Sequence, residues 1–438
     1  MEVALDRLVG AALAATVFAF ASGSTIEYRV LLDARPARWY CLGALVAVSA
    51  LYAVRAGRRS VPLALVGLGA ALVALALAST LWSVDPTLTA KRAASFAALI
   101  AAAAFILYAA AGRPDRIRRL LAGLLIGAVA VAVAGLVVLA VDHDAAVQPA
   151  TTEYPARYRG YEQNPNTAAM LLAVATPLAC LFTWDARSRL IRPAAVVALL
   201  LFAGSLAASG ARGPMLAAFL GVAAFALVAP GSLRRRLAVA AVAAAVFAAC
   251  LGISRIPDPK PLPRSSTGQM HVPPTRRTLL TSSGRFDAWR DAIRQAEDRP
   301  VAGYGFGTEA DVFVNRSARF VSDLPENSYI GAALQLGLVG VALLLAAFAW
   351  ALLRALALVR SRSGNSVVAA AAGGAVVAAA AVAVTQSYLF SVGNLATATA
   401  WVCLFLLVGA AEVSPRQRAA SASSASIASS ETRTSHSG

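Results

Sequence analysis

AAVVALLLFAGSLAASGARGPMLAAFLGVAAFALVA, Ala194 to Ala229, contains two apolar runs parted by Ser209, Gly210, Ala211, Arg212, Gly213 and Pro214. Each run is close to the length a helix needs to cross about 30 Å of hydrocarbon. Glycine and proline beside a charge cannot continue a lipid-facing helix cheaply, so the interruption predicts a tight turn between two spans. Such runs recur along the chain, near residues 8–26, 38–54, 61–82, 93–111, 119–141, 166–183, 193–208, 213–229, 237–253, 327–353, 366–385 and 393–411. The expected fold is an all-α integral membrane protein of about twelve transmembrane helices. A barrel is excluded, because it would show short alternating segments instead. Composition agrees: 59% of the 438 residues are hydrophobic and 14% charged, with a mean hydropathy of +0.67, which no single water-soluble core could bury.

Orientation follows from lysine and arginine in the connections. With the N-terminus inside, the cytoplasmic segments carry twenty arginines, including Arg113, Arg116, Arg118 and Arg119, against eight basic residues in the short outer loops: Arg29, Arg35, Arg38, Lys91, Arg92, Arg157, Arg159 and Arg212. Both termini are then cytoplasmic, in the cytoplasmic (inner) membrane. The expected organisation is nine transmembrane helices in 1–253, one long extracytoplasmic loop at 254–326 between helices 9 and 10, three more helices in 327–411, and a disordered cytoplasmic tail at 412–438. The net charge of +17 suits an arginine collar meeting anionic lipid, and nucleic-acid binding is not indicated. Glu2 and Asp6 make the start acidic where a cleaved leader is basic, so the first span is expected to be retained. Cys41, Cys180, Cys250 and Cys403 lie inside spans at no metal-ligand spacing, so neither a disulfide nor a metal site is expected.

Three segments that carry polar and aromatic residues share the outer side. The loop before the sixth span has Tyr161 within RGYEQNPN, Arg159 to Asn166. There Asn164 is a candidate N-cap, and with Asn166 it could equally present outward-facing amides to an anion. Arg212 stands in the turn SGARGPM, where burial in so apolar a place calls for a partner; lipid snorkelling and a phosphate gripped by the planar guanidinium are both open. The long loop ends in LPENSYIGAALQLGLVG, Leu324 to Gly340, which puts Glu326 and Asn327 at the mouth of the tenth span. A partly desolvated carboxylate there could take a proton from a hydroxyl, or could simply cap the helix or pair with an arginine.

Within the long loop, 254–284 is irregular in composition. RFDAWRDAIRQAEDRP has helical spacing over about 285–298, with Ser283 as N-cap, Pro300 as stop and one apolar face of Phe286, Trp289, Ile293 and Ala296 meant for the membrane or the bundle. GYGFGT, Gly303 to Thr308, opens no βαβ unit and is a very weak nucleotide motif. His143, His271 and His436 have no partner visible in the sequence.

Taken in order, STLWSVDP (Ser79 to Pro86), RGYEQNPN, SGARGPM, RFDAWRDAI followed by PVAGYGFGT, and ENSYIGAALQLGLVG resemble the O-antigen ligase and polymerase superfamily, over roughly residues 60–411. The resemblance implies glycan transfer or polymerisation from a polyprenyl-diphosphate-linked oligosaccharide onto a saccharide or glycolipid acceptor at the outer face, without metal, nucleotide or other cofactor. By that resemblance Arg159 and Arg212 would bind the diphosphate, with Arg285 or Arg290 assisting; together with the residue reading this gives Glu326, Arg212 and Arg159 as the expected catalytic set and Arg285, Arg290, Asn164, Asn166, Asn327 and Tyr161 as the expected substrate-binding set. Ligases of the family usually place a histidine before the asparagine at the tenth span; Glu326 stands there instead, and ligase and polymerase both stay open. Two other readings compete. A transporter or flippase of an anionic or lipid-linked substrate would use the arginines only to bind, and the nearly uncharged span middles speak against it. A non-catalytic scaffold would need them only for assembly.

Overall fold

The computed structural model describes residues 2–23, 35–57, 61–149, 156–161, 164–185, 188–253, 284–314, 322–360 and 366–411. The predicted irregular stretch up to Ser283, the tail 412–438, His271 and His436 lie outside the described residues.

The chain is a multi-pass helical membrane protein. Its apolar helices are α1 Glu2–Ser22, α2 Ala37–Ala56, α3 Leu63–Ala78, α4 Pro86–Ala110, α5 Pro114–Val141, α6 Pro165–Trp184, α7 Ile191–Ser209, α8 Arg212–Val228 and α9 Leu233–Ile253. After the amphipathic α10, Arg285–Glu297, come α11 Ser328–Arg360, α12 Ser366–Thr385 and α13 Leu395–Ala411. Ten of these are long and apolar enough to cross a membrane by length and composition, α3 being counted with the 3₁₀ turn that follows it; α8 and α13 are shorter apolar helices. Each of the twelve predicted segments falls on one of them, and α7 gives way to α8 across Gly210 and Ala211, where the turn was expected.

Burial grades from the centre outward. Every residue of α13 is buried, so its apolarity answers to protein neighbours and not to lipid. It packs with α4, α6 and α12. At the margin, α9 buries only Cys250.

Two glycine positions fix how the loop after α10 meets the bundle. Gly337 breaks α11 with φ 63° and ψ −164°; a Cβ there would lie 2.3 Å from the Val301 carbonyl group, so only glycine fits. The freed ladder is taken up by the loop: Leu338 N donates to Pro300 O at 2.7 Å, Tyr304 N to Leu334 O at 2.8 Å and Gly305 N to Gln335 O at 2.9 Å. On its other side the same loop meets the α3–α4 turn, where Trp82 Nε1 donates to Ala302 O at 3.0 Å and Phe306 N to Ser79 Oγ at 2.9 Å. Gly307, with φ 82°, lies so close to the Arg92 side chain that a Cβ would collide with it. The GYGFGT segment is thus a strap of turns, with positive φ at Gly303, Gly305 and Gly307, wedged between STLWSVDP and α11, and three of the five motifs form one packed unit.

The inner face of α10 differs from the expectation. Ala288 and Ala292 are fully buried, against Phe313 and Leu334, whereas Phe286 and Ile293 are 61% and 48% exposed. Small side chains let α10 approach α11 closely, and the bulky ones turn away, the orientation an interfacial helix takes toward lipid. The residue before it, outside the helix, is Gly284 in the left-handed region.

At the opposite face of the bundle, Asp6 is fully buried and accepts from Tyr52 Oη at 2.6 Å and Arg119 Nε at 2.8 Å, with Arg116 Nε at 3.6 Å. Glu2 pairs with Arg116 at 2.7 Å and with Arg113 at 3.2 Å. Arg118 holds Asp185 at 2.6 Å. Arginines counted for topology therefore also lock α1, α2, α5 and α6 together.

Candidate active site

The α1 and α12 C-termini and the α2, α4, α6, α11 and α13 N-termini gather on one face around a cavity of about 1280 Å³. One wall is basic, with Arg35 and Arg38 before and at the start of α2 and Lys91 and Arg92 in the first turns of α4. Glu309, Asp323 and Glu326 face the same space from the segments around and before α11. Gln386 to Asn394, the connector between α12 and α13, forms part of the lining, and Trp39, Leu88, Met170 and Phe390 add apolar surface.

Capping sets the wall in place. Asp85 Oδ1 accepts from Leu88 N at 2.9 Å and Pro86 occupies the first helical position, which starts α4 so that Lys91 and Arg92 follow one turn later. Ser328 Oγ donates to Gln386 O at 2.7 Å and accepts from Tyr388 N at 2.9 Å, which pins the connector to the start of α11. Below it, Phe96, Phe306, Phe390 and Trp401 form an aromatic cluster with centroid separations of 5.3 to 5.5 Å.

Glu309 is the most constrained of the acids. It opens the one-turn helix Glu309–Val312 and is 8% exposed. Ser387 Oγ donates to its Oε1 at 2.6 Å and Gln335 Nε2 to its Oε2 at 3.0 Å. The orientation of the Gln335 amide is dictated by Gly307 N, which donates to its Oε1 at 2.7 Å, so the NH₂ must face the acid. Gly331 makes the room, since a Cβ there would meet Glu309 Oε1 at 2.4 Å. Burial pushes the Glu309 carboxyl up to about 7, against the lowering pull of the Ser387 hydrogen bond, the Arg92 charge and the Gln335 hydrogen bond.

Of the nine residues singled out from sequence, Asn164 and Glu326 line this cavity. Asn164 is the N-cap of α6, accepting from Asn166 N at 2.9 Å and Thr167 N at 3.2 Å. Glu326, with φ 48°, takes Arg285 Nε at 3.0 Å and also Arg285 Nη2 on its Oε2, so these two candidates meet as an ion pair. Asn327 caps α11, accepting from Tyr329 N at 3.0 Å and Ile330 N at 3.1 Å. Asn166 Oδ1 accepts from Arg157 Nη2 at 3.0 Å. Arg159 donates to Ala145 O at 3.0 Å, bound to the turn after α5, and Tyr161 is buried in the core. Arg212 is half-buried at the start of α8, and Arg290 is exposed with Asp287 at 3.9 Å. The other seven candidates, Arg285 and Asn327 included, are not part of the cavity wall.

Sequence reasoning missed Arg35, Arg38, Lys91 and Arg92 as site residues, although it had counted them as outer charge against the positive-inside trend; that violation was the available signal. Glu309 carried none.

Residues 197–345 match the family model described as O-antigen ligase (Wzy_C). The matched stretch, similar to O-antigen ligases, runs from α7 into α11. It takes in the α7–α8 turn with Arg212, α10, the strap with Glu309, and Glu326; the basic wall on α2 and α4 lies outside it. The match supports the superfamily resemblance and a glycan ligase-like or polymerase-like membrane enzyme. No curated protein matches the chain.

Proposed function

We propose that the cavity binds a polyprenyl-diphosphate-linked saccharide and transfers its glycan to an acceptor saccharide hydroxyl, at the outer face of the cytoplasmic membrane, in a single inverting displacement without metal. The observation that carries this reading is that Arg35, Arg38, Lys91 and Arg92 line one cavity together with the carboxylates of Glu309, Asp323 and Glu326, at the helix ends of a membrane bundle. Fixed positive charge is most useful where negative charge grows, here on the departing diphosphate. Guanidinium groups suit its paired oxygens. The apolar lining accommodates the first isoprenoid units and a sugar face. All twelve apolar helices cross the membrane in this reading, both termini are cytoplasmic, and the Arg285–Glu326 pair positions the segment that leads into α11. Ligase and polymerase differ in the acceptor, a glycolipid core or a second lipid-linked chain.

Purified protein in liposomes, given polyprenyl-diphosphate oligosaccharide and candidate acceptors, should release polyprenyl diphosphate and form transferred or elongated glycan. Arg38→Ala and Arg92→Ala should each lower kcat by about 10²–10³-fold, the usual scale for removing one such charge-stabilising group. Saccharide that crosses the bilayer with no bond made would establish a flippase instead.

A further inference from the structure

We propose that Glu309 is the group that accepts the proton of the acceptor hydroxyl, an inference that rests on the glycosyl-transfer reading. Glu326, the residue suggested by position, already has two guanidinium N–H groups on one oxygen. Glu309 instead borders the cavity, and each of its oxygens receives one neutral donor, from Ser387 and from Gln335. A carboxylate oxygen has two acceptor positions, so a position remains on each for a substrate hydroxyl. The donors fix the carboxylate plane, and Gly331 leaves no side chain in its way.

The groups facing Glu309 come from every element around it. Arg92 of α4 acts on it by charge, α11 presents Gln335 and Gly331, and the α12–α13 connector presents Ser387; Lys91, Asp323 and Glu326 line the same cavity. With its carboxyl at about 7, the acid is ionised on the alkaline side of neutrality and near the pH at which a general base works best. In the step, the acceptor oxygen forms a bond to the anomeric carbon while the bond from that carbon to the diphosphate oxygen breaks. The electron pair leaves with polyprenyl diphosphate and the hydroxyl proton passes to Glu309, which returns it to water at the cavity mouth.

The test is release of polyprenyl diphosphate in proteoliposomes between about pH 5 and 9, with donor binding measured separately by thermal shift. Wild-type kcat should climb through about pH 7 and level off. Glu309→Gln should bind donor, lose about 10²–10⁴-fold in kcat and lose the pH limb, Glu309→Asp should recover part of both, and Glu326→Gln should keep the limb whatever its rate. A Glu309→Gln enzyme with the wild-type profile, or a Glu309→Asp enzyme as inactive as it with donor still bound, overturns the assignment and leaves transfer intact. If Glu309→Gln does not accumulate, infrared titration of wild type decides: a protonated-carboxyl band that disappears in step with the rising rate supports Glu309, and its absence overturns it. Wild type that binds donor and releases nothing at any pH removes the transfer reading itself.

Discussion

Arg157 joins three segments with one guanidinium: it belongs to the two-residue strand Arg157–Tyr158, which pairs antiparallel with Val147–Gln148, donates Nε to Ser209 O at 2.7 Å at the end of α7, and donates Nη2 to Asn166 at the start of α6. A lysine ammonium is a point donor and cannot hold both directions. Arg157→Lys should therefore cost about 1.5–3 kcal/mol, the value of a hydrogen bond to a charged group, seen as a lower Tm in detergent with the donor-binding affinity weakened through α6. Local chemistry of this kind was partly readable in advance. Asn164 before Pro165 announced a cap because the first amides of a helix need an acceptor, and the structure places it there. Glu309 could not be read, because its burial and its two donors come from residues 26 and 78 positions away, and nothing in the neighbouring letters encodes them.

Among the elements, α11 shows what a single backbone position decides. Gly337→Ala must place a Cβ against the Val301 carbonyl in a left-handed conformation, which costs about 1–2 kcal/mol before the clash is added, and the strap that carries Glu309 should loosen. Gly204, within α7, has nothing within 4 Å of its missing Cβ, so Gly204→Ala should leave the protein as stable or raise its stability by about 0.5–1 kcal/mol. Thermal unfolding of the two variants checks the contrast, and equal Tm values would contradict the wedged strap. The apolar helices were legible because lipid demands long unbroken runs. The inner face of α10 was not, since hydrophobicity alone points to Phe286 and Ile293, whereas close packing against α11 selects Ala288 and Ala292 and leaves the larger groups outside.

For the molecule as a whole, two predictions concern sidedness and cohesion. Ser391, exposed in the α12–α13 connector, and Ser188, exposed between α6 and α7, end on opposite faces of the bundle. In a background with Cys41 replaced by serine, Ser391→Cys should react with an impermeant maleimide on intact cells, and Ser188→Cys only after permeabilisation; the reverse pattern would put the cavity on the wrong side for the proposed donor. Asp6→Ala takes from the buried Arg116 the more distant of its two acids, Glu2 remaining at 2.7 Å, and leaves Tyr52 and Arg119 without their acceptor. Breaking one side of such a network costs about 3–5 kcal/mol, so this variant should accumulate poorly or unfold early. The collar of arginines was legible as charge, but its pairing with Asp6 needed the fold.

The strap between α10 and α11 has a consequence for how the protein is made. Its partners at Ser79 and Trp82 are more than 200 residues earlier in the chain, and the cavity is walled by residues from Gly23 to Asn394. On the proposed reading, a chain threaded into the bilayer only as far as α9 carries the basic residues of the wall, but not Glu309, Asp323, Glu326 or the α12–α13 connector that line the same cavity. By that proposal a half-made chain has the charge to attract a diphosphate lipid and lacks the means to react with it, so chemical competence would arrive with the strap and α11 to α13.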